Sequence, residues 1–488
     1  MSLITVNNLT FFYEGSYDNI FENVSFQIDT NWKLGFTGRN GRGKTTFLNL
    51  LLGKYEYSGS ITASVSFEYF PYPVDDKTKF TIDILEQIGG NYQLWELERE
   101  LSNLSVSDDV LYRSFETLSN GEQTKVLLAA LFLKENSFLL IDEPTNHLDM
   151  EARETVAAYL NNKKGFILVS HDRVFLDSCV DHILSINKEN IEIQNGNFSS
   201  WYYNKQMQDN YEINKNKQLK KEISRLETAV KQTSSWSDIV ESTKIGSHQG
   251  DRGHIGHLAA KMMKRSNAIE ARRRREINEK SQLLKNIEEA EPLKISTVKH
   301  HSKKVVEFDK VSLFYGEKTV CTDVSFSLEQ GDRMALFGKN GTGKTSIIKL
   351  ICGEHIDYCG NVYKSSNLTI SYVPQDTSFL KGSLEAYSKE NNIDESLFKT
   401  ILRKLDFSRI QFEKSMEDFS AGQKKKVLIA HSLCEKVNLF IWDEPLNYID
   451  VLSRMQIEEL ILEHKPTILF VEHDIAFCEN IATKIVNL

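Results

Sequence analysis

Four short motifs occur twice in this chain, in the same order and at nearly the same spacing, and that duplication limits the fold more than any other feature. "FTGRNGRGKTTFLNLL" (36–51) returns as "LFGKNGTGKTSIIKLI" (336–351), so that Lys44 and Lys344 stand 300 residues apart. "LSNGEQTKVLLA" pairs with "FSAGQKKKVLIA", "LLIDEPTNHLD" with "LFIWDEPLNYID", and "ILVSHDRVFLD" with "LFVEHDIAFCE". Lys44 to Ser119 is 75 residues and Lys344 to Ser420 is 76, while Ser119 to Glu143 and Ser420 to Glu444 are both 24. A chain of 488 residues built this way is two homologous lobes with a distinct segment between them. In each lobe, short apolar runs (138–141, 166–169, 439–442, 468–471) end in polar motif residues and alternate with helical stretches. That pattern predicts an α/β fold whose buried parallel strands carry the chemistry at their carboxyl ends.

Gly38, Gly43, Lys44 and Thr45, and again Gly338, Gly343, Lys344 and Thr345, make complete GxxxxGK[ST] loops, each after an apolar strand and before a helix. Their glycines let backbone N–H groups close around phosphates, the lysine reaches the β/γ oxygens, and the threonine hydroxyl serves Mg²⁺. Asp142 and Asp443 close apolar runs where a magnesium-supporting carboxylate is expected. Glu143 and Glu444 follow them, placed to orient or deprotonate a water attacking a γ-phosphate. His171 and His473, at the next strand's end, are placed to touch that phosphate. A pair of solvated strand-end carboxylates is the plainer alternative, but the prolines at 144 and 445 and the paired histidines argue against it.

Together these motifs are similar to those of ATP-binding cassette (ABC) ATPases, twice over. The resemblance implies two ATP molecules sandwiched between the lobes, each held by one lobe's P-loop and the other's signature. One site would combine Lys44 and Glu143 with Ser420, Gly422 and Gln423; the other, Lys344 and Glu444 with Ser119, Gly121 and Glu122. It extends the nucleotide contacts to Asn40, Gly41, Thr46, Asn340, Gly341 and Ser346, and to Tyr13 and Tyr315 as adenine-stacking rings, ordinary packing tyrosines being the plainer alternative. Thr45, Asp142, Thr345, Gln375 and Asp443 would serve the metal. Departures from the family pattern predict unequal sites. "EYFPYP" puts Tyr72 where "SYVPQD" has Gln375, and tyrosine is a poor Mg²⁺ ligand. Asn120 replaces a signature glycine, tolerable in a left-handed backbone. "DEPLNYID" differs from "DEPTNHLD" at Leu446, Tyr448 and Ile449.

Net charge is −9, yet residues 203–300 hold 20 Lys+Arg against 13 Asp+Glu. Leu219, Ile223, Leu226 and Val230 form one apolar seam and Ile277, Leu284 and Ile287 a weaker second, predicting helices over roughly 210–242 and 257–290. Glycines at 246, 250, 253 and 256 should keep either helix from crossing the stretch between them, leaving a turn at the apex of a hairpin. Lys244, Arg252, Lys261, Lys264 and Arg265, with the run 272–275, give that hairpin the charge a phosphate backbone rewards. His248, His254 and His257 lack acidic or cysteine partners at ligand spacing, so stacking or hydrogen bonding suits them better than metal ligation. A solvated coiled-coil face is the competing reading of the arginine run.

Twin cassettes with "DEPTNHLD", "VSHDR" and a charged helical linker resemble the ABC-F proteins. The stretches "AAKMMKRS", "LRKLDFSR" and "IWDEPLNYID" resemble their Lsa-type antibiotic-resistance branch. The resemblance implies ABC ATPase domains over 1–203 and 304–488 joined by a hairpin linker over 204–303. It implies a monomer whose lobes pair internally, binding the 70S ribosome through rRNA and P-site tRNA. It also implies ribosome protection against lincosamides, streptogramin A compounds and pleuromutilins, with ATP and Mg²⁺ as cofactors. A housekeeping ABC-F translation factor, an energy-coupling transporter subunit and a DNA-maintenance ATPase are the competing functions. Six cysteines without CxxC pairing, no signal-peptide pattern and no apolar run longer than 126–133 predict a cytoplasmic setting with neither membrane nor DNA as partner.

Overall fold

The computed structural model describes residues 2–13, 19–90, 92–145, 148–186, 191–242, 252–282, 293–316, 318–339 and 341–488, with backbone alone at 231–242, 252–260, 262, 263, 266, 281 and 282. The chain divides into two compact units, Met1–Trp201 with Ala290–Leu488, and Tyr202–Glu289.

The first unit holds both lobes. In lobe 1 a six-stranded sheet runs in the order Ser66–Phe70, Ser137–Asp142, Phe166–Val169, Lys33–Thr37, His182–Ile186, Ile191–Asn195. All neighbours are parallel except the last pair. Lobe 2 repeats the order with five parallel strands: Ile370–Val373, Leu439–Asp443, Ile468–Val471, Arg333–Phe337, Lys484–Asn487. The central strands read as unbroken apolar runs because both faces are covered; Phe166–Val169 and Ile468–Val471 are buried at every residue. A separate three-stranded antiparallel sheet accompanies each lobe, built on Leu3–Phe11 and on Lys304–Tyr315. Phe47, on the helix after the first P-loop, packs against Phe21, Phe26 and Phe36, joining the two sheets of lobe 1 around one ring.

The P-loops leave strands that lie inside their sheets, so every other motif strand ends beside them. Gly43 and Gly343, each at φ 93°, turn the chain into the helices Lys44–Leu51 and Lys344–Cys352 in a left-handed conformation that a side chain would strain. Ser119 and Ser420 open the helices Asn120–Phe132 and Ala421–Cys434 through capping boxes with Glu122 and Gln423. Asn120 is the first residue of its helix and has no positive φ, so the left-handed backbone expected there is absent. Asparagine stands in for glycine at an ordinary helical position.

The second unit contains the antiparallel helices Phe198–Ser242 and Arg252–Gln282, tied by Arg273 Nη1 donating to the Ala229 carbonyl at 2.7 Å and by the Lys280–Glu222 ion pair at 2.5 Å. Leu219, Ile223, Leu226, Val230 and Ile277 are half-buried, as a seam requires, while Leu284 and Ile287 lie outside the described residues. Both helices start earlier than their seams suggested. The second takes in Gly253 and Gly256, each costing about 1 kcal/mol against alanine, which a 31-residue helix absorbs.

Asp450 shows how tightly lobe 2 is fixed. Fully buried, it caps the helix Val451–His464 through the Ser453 amide at 2.9 Å and accepts from Lys426 Nζ at 2.8 Å. The lysine beside it holds its carboxyl far below the usual range against the effect of burial. Asp450→Ala is expected to cost roughly 4 kcal/mol in denaturant unfolding, because it strands a buried ammonium and removes a helix cap. Asp450→Leu combined with Lys426→Met should recover most of that loss. A loss below about 1 kcal/mol for the alanine variant would contradict the buried-pair description.

Candidate functional site

In both lobes the P-loop lysine is buried and turned onto its own loop. Lys44 Nζ donates to the carbonyls of Gly38 at 2.7 Å and Arg39 at 3.2 Å; Lys344 Nζ donates to those of Gly338 at 2.7 Å and Lys339 at 2.9 Å. Burial lowers both ammonium pKa values, while neighbouring carboxylates oppose the shift. Gly41, Thr46, Gly341 and Ser346 lie on the same two loops and helix starts. Asn340 lies outside the described residues. Tyr13, 40% exposed, donates or accepts one hydrogen bond with Thr46 Oγ1 at 2.7 Å, so its ring stands at the edge of the first P-loop; Tyr315 is 50% exposed.

The donor set suits a divalent cation. Thr45 Oγ1 donates to Asp142 Oδ2 at 3.3 Å, and in lobe 2 both oxygens of the buried Asp443 lack a full hydrogen bond beside Thr345 and Lys344. Burial raises both aspartate pKa values. A residue missed in the sequence enters here: Tyr69 donates its hydroxyl to Asp142 Oδ2 at 3.1 Å. It was legible only as a strand neighbour, since Ser66–Phe70 runs parallel to the strand that ends in Asp142. Tyr72, three residues later, occupies the position aligned with Gln375 and is half-buried.

Glu143 and Glu444 share an unusual backbone, φ 50° and 49°, with their amides donating to the Val169 and Val471 carbonyls at 2.9 and 3.0 Å. Left-handed non-glycine residues store of order 1–3 kcal/mol of strain and persist only where neighbours over-determine them. The turn brings His171 Nε2 to 3.3 Å from Glu143 Oε1 and His473 Nε2 to 3.4 Å from Glu444 Oε1. The similarity ends there. Glu444 Oε2 accepts from Gln375 Nε2 at 2.7 Å and Asn447 Nδ2 at 2.6 Å. Burial pushes its pKa up, but hydrogen bonds and charge from His473 and the Gln375 bond outweigh it, leaving the group below its ordinary value. For Glu143, burial with the nearby Asp142 charge pushes the pKa up to about 8, against the charges of Arg454 and Lys44 and a hydrogen bond from the His171 backbone. His171 is driven well below its ordinary value by burial and the charges of Lys44 and Arg454.

The lobes meet motif to motif. Asn40 Nδ2 donates to the Tyr448 carbonyl of lobe 2 at 2.8 Å, and Gly422 packs so closely that a Cβ would lie 2.3 Å from that oxygen and 3.1 Å from Asn40 Nδ2. Arg39 and Arg42 flank the same contact, reaching Asp406 Oδ1 at 3.7 and 3.5 Å. At the other pairing a cavity of about 850 Å³ is lined by Ser119, Gly121 and Glu122 from lobe 1 and by Lys339, Gln375, Glu444 and His473 from lobe 2. Arg153 Nη1 crosses between lobes too, donating to the His473 carbonyl at 2.9 Å and to Asp172 Oδ2 at 3.0 Å. Ser420 and Gln423 are joined in their capping box at the start of the helix that carries Gly422. None of the arginine contacts was legible in the motifs.

On the second unit, Lys261, Lys264 and Arg265 are exposed on the helix Arg252–Gln282. Lys244 and His248 lie outside the described residues, as do the side chains of Arg252, His254 and His257. Arg274 pairs with Glu270 at 2.6 Å on the same helix, so part of the arginine run is satisfied within the hairpin.

The family described as ABC transporter matches residues 21–146 and 321–447, more than half of the chain. The ribosome protection protein VmlR of Bacillus subtilis (strain 168) is 27% identical over 500 residues, covering 98% of this chain and 85% of that one. The ATP-binding protein Uup of Buchnera aphidicola subsp. Acyrthosiphon pisum (strain APS) is 26% identical over 515 residues, 99% of this chain and 80% of its own. In fold, the chain resembles the archaeal ribosome recycling factor aABCE1 solved with the stalk protein aP1, with a TM-score of 0.64 at 18% identity over 98% of this chain and 87% of that one.

The Asp406 contact has a direct test. Asp406→Ser installs the residue found at the equivalent place in lobe 1, Ser105, and removes an ion pair of about 1 kcal/mol. Amide hydrogen exchange in the 38–43 loop should quicken roughly fivefold; unchanged protection would show that Asp406 does not hold this loop.

Proposed function

Because the chain belongs to the ABC transporter family, carrying its ATPase cassette twice, we propose that this ATP hydrolase is an ABC-F protein that binds the bacterial 70S ribosome. It protects the peptidyl-transferase centre from lincosamides, streptogramin A compounds and pleuromutilins. The observation that carries this reading is the insertion of a basic helical hairpin between two cassettes, in a chain similar over 98% of its length to a ribosome protection protein. No helix among the described residues is long and apolar enough to cross a membrane. Residues 1–203 and 304–488 act as the cassettes and 204–303 as the element that meets rRNA and P-site tRNA.

Each lobe's P-loop binds ATP against the other lobe's signature. Lys44 and Lys344 leave their own carbonyls for the phosphates, and Ser420 or Ser119 donates from the far side. Thr45 with Asp142, and Thr345 with Asp443 and Gln375, would hold a magnesium ion, which would supply charge neutralisation for the phosphates. Glu143 and Glu444 orient and deprotonate the attacking water, with His171 and His473 against the γ-phosphate. ATP favours the closed lobes, the closed form fits the ribosome, and the hairpin apex stabilises a tRNA or rRNA conformation that binds the drug poorly. Hydrolysis reopens the lobes and ends residence. A housekeeping translation factor is the second reading.

Glu143→Gln combined with Glu444→Gln should bind ATP, stay closed and co-sediment with 70S ribosomes only when ATP is present; migration free of ribosomes would defeat the proposal. Expression in a drug-sensitive bacterium should raise tolerance to the three drug classes, whereas unchanged susceptibility with ribosome binding intact would favour the housekeeping reading.

The two carboxyls also predict opposite pH behaviour. With Glu444→Gln, only Glu143 remains. Its raised pKa leaves it mostly protonated below about pH 8, so phosphate release should climb about tenfold per pH unit from 6 and level off near 8. With Glu143→Gln, Glu444 is already ionised and the profile should be flat over the same range. A flat profile for both would remove the assigned difference.

A further inference from the structure

Lys425 is a buried cation that the nucleotide chemistry leaves without a role. It lies on the helix Ala421–Cys434, five residues after Ser420, and is 2% exposed. Burying an ammonium costs several kcal/mol unless its protons are satisfied. Here Nζ donates to the Pro374 carbonyl at 2.8 Å and the Asp443 carbonyl at 3.3 Å. Glu472, Asp443, Glu444 and Asp376 supply the surrounding negative charge.

Those two carbonyls are the last backbone groups before Gln375 and Glu444. The side chains of Gln375 and Glu444 then meet at 2.7 Å, so one ammonium fixes both ends of the hydrogen bond that orients the glutamate. Lobe 1 lacks this lysine. Thr124, five residues after Ser119, stands at the matching position, and Tyr72 replaces Gln375.

We propose that Lys425 is a positioning residue for hydrolysis at the lobe 2 glutamate, locking the Pro374–Gln375 and Asp443–Glu444 backbones to the signature helix so that Glu444 is aimed at the water. The inference rests on the reading of Glu444 as the group that activates water. It assigns part of the inequality between the two sites to one lysine, placed outside the nucleotide's reach.

The test uses the full chain carrying Glu143→Gln, so that only the lobe 2 glutamate turns over ATP. Lys425→Met keeps length and removes the donor; Lys425→Thr installs the residue lobe 1 already accommodates; Lys425→Arg keeps the charge. For Met and Thr, kcat should fall at least tenfold while KM for ATP, and Kd for trinitrophenyl-ATP, change less than threefold; Arg should keep at least half of kcat. A folded Met or Thr variant with kcat within twofold of the parent overturns the proposal. So does loss of kcat and nucleotide affinity together in all three variants, which marks a merely structural lysine. Adding Glu444→Gln to the same background separates the underlying reading: if hydrolysis then continues undiminished, the assignment of Glu444 fails, whatever Lys425 does.

Discussion

The pairing of the lobes depends on a close approach that only one residue type permits. Gly422, in lobe 2's signature, lies against the Tyr448 carbonyl and Asn40 of lobe 1's P-loop with no space for a Cβ. Any side chain there would force this contact between the lobes to shift. A triphosphate's charge exceeds what one loop's N–H groups can neutralise, so distance between lobes decides whether the chemistry is available at all. The same contact explains why Tyr448, at φ 64°, keeps a strained backbone: its carbonyl is the acceptor that Asn40 meets.

From that shared scaffold the two sites diverge electrostatically. Both glutamates leave their strands in the same left-handed turn and meet a histidine at almost the same distance. What differs is the neighbourhood: Gln375 bonds Glu444 where lobe 1 has Tyr72, while burial and the Asp142 charge raise Glu143 and burial lowers His171. The first pairing is also clamped by Arg39 and Arg42 on Asp406, whereas the second opens onto the large cavity beside Lys339. Near-identical motifs therefore sit in unlike surroundings, because residues between the motifs, such as Tyr72 and Gln375, differ.

That is also where the sequence stopped being readable. The P-loops, strand-end carboxylates and signature serines lie in short contiguous motifs that recur in both lobes, so the motifs and their likeness to ABC ATPases located them. Tyr69, Lys425, Arg153 and Asp406 act through contacts between residues distant in the chain, and no local pattern announces such contacts. The hairpin was visible as a seam, but its boundaries were not, since helix ends depend on capping and on packing such as that of Phe198 and Trp201, which hydrophobic periodicity does not report. Asn120 was read through the backbone preference of asparagine when an ordinary helical conformation sufficed.

The central claim is that each ATP is enclosed by both lobes, and vanadate photocleavage tests it most directly. Vanadate trapped with ADP takes the γ-phosphate's place and, on irradiation, cuts the backbone of residues touching it. The account predicts fragments ending near 38–45 and 338–345 and also near 119–122 and 420–423. Cuts confined to the two P-loops would contradict it, because they would mean that neither signature reaches the other lobe's nucleotide.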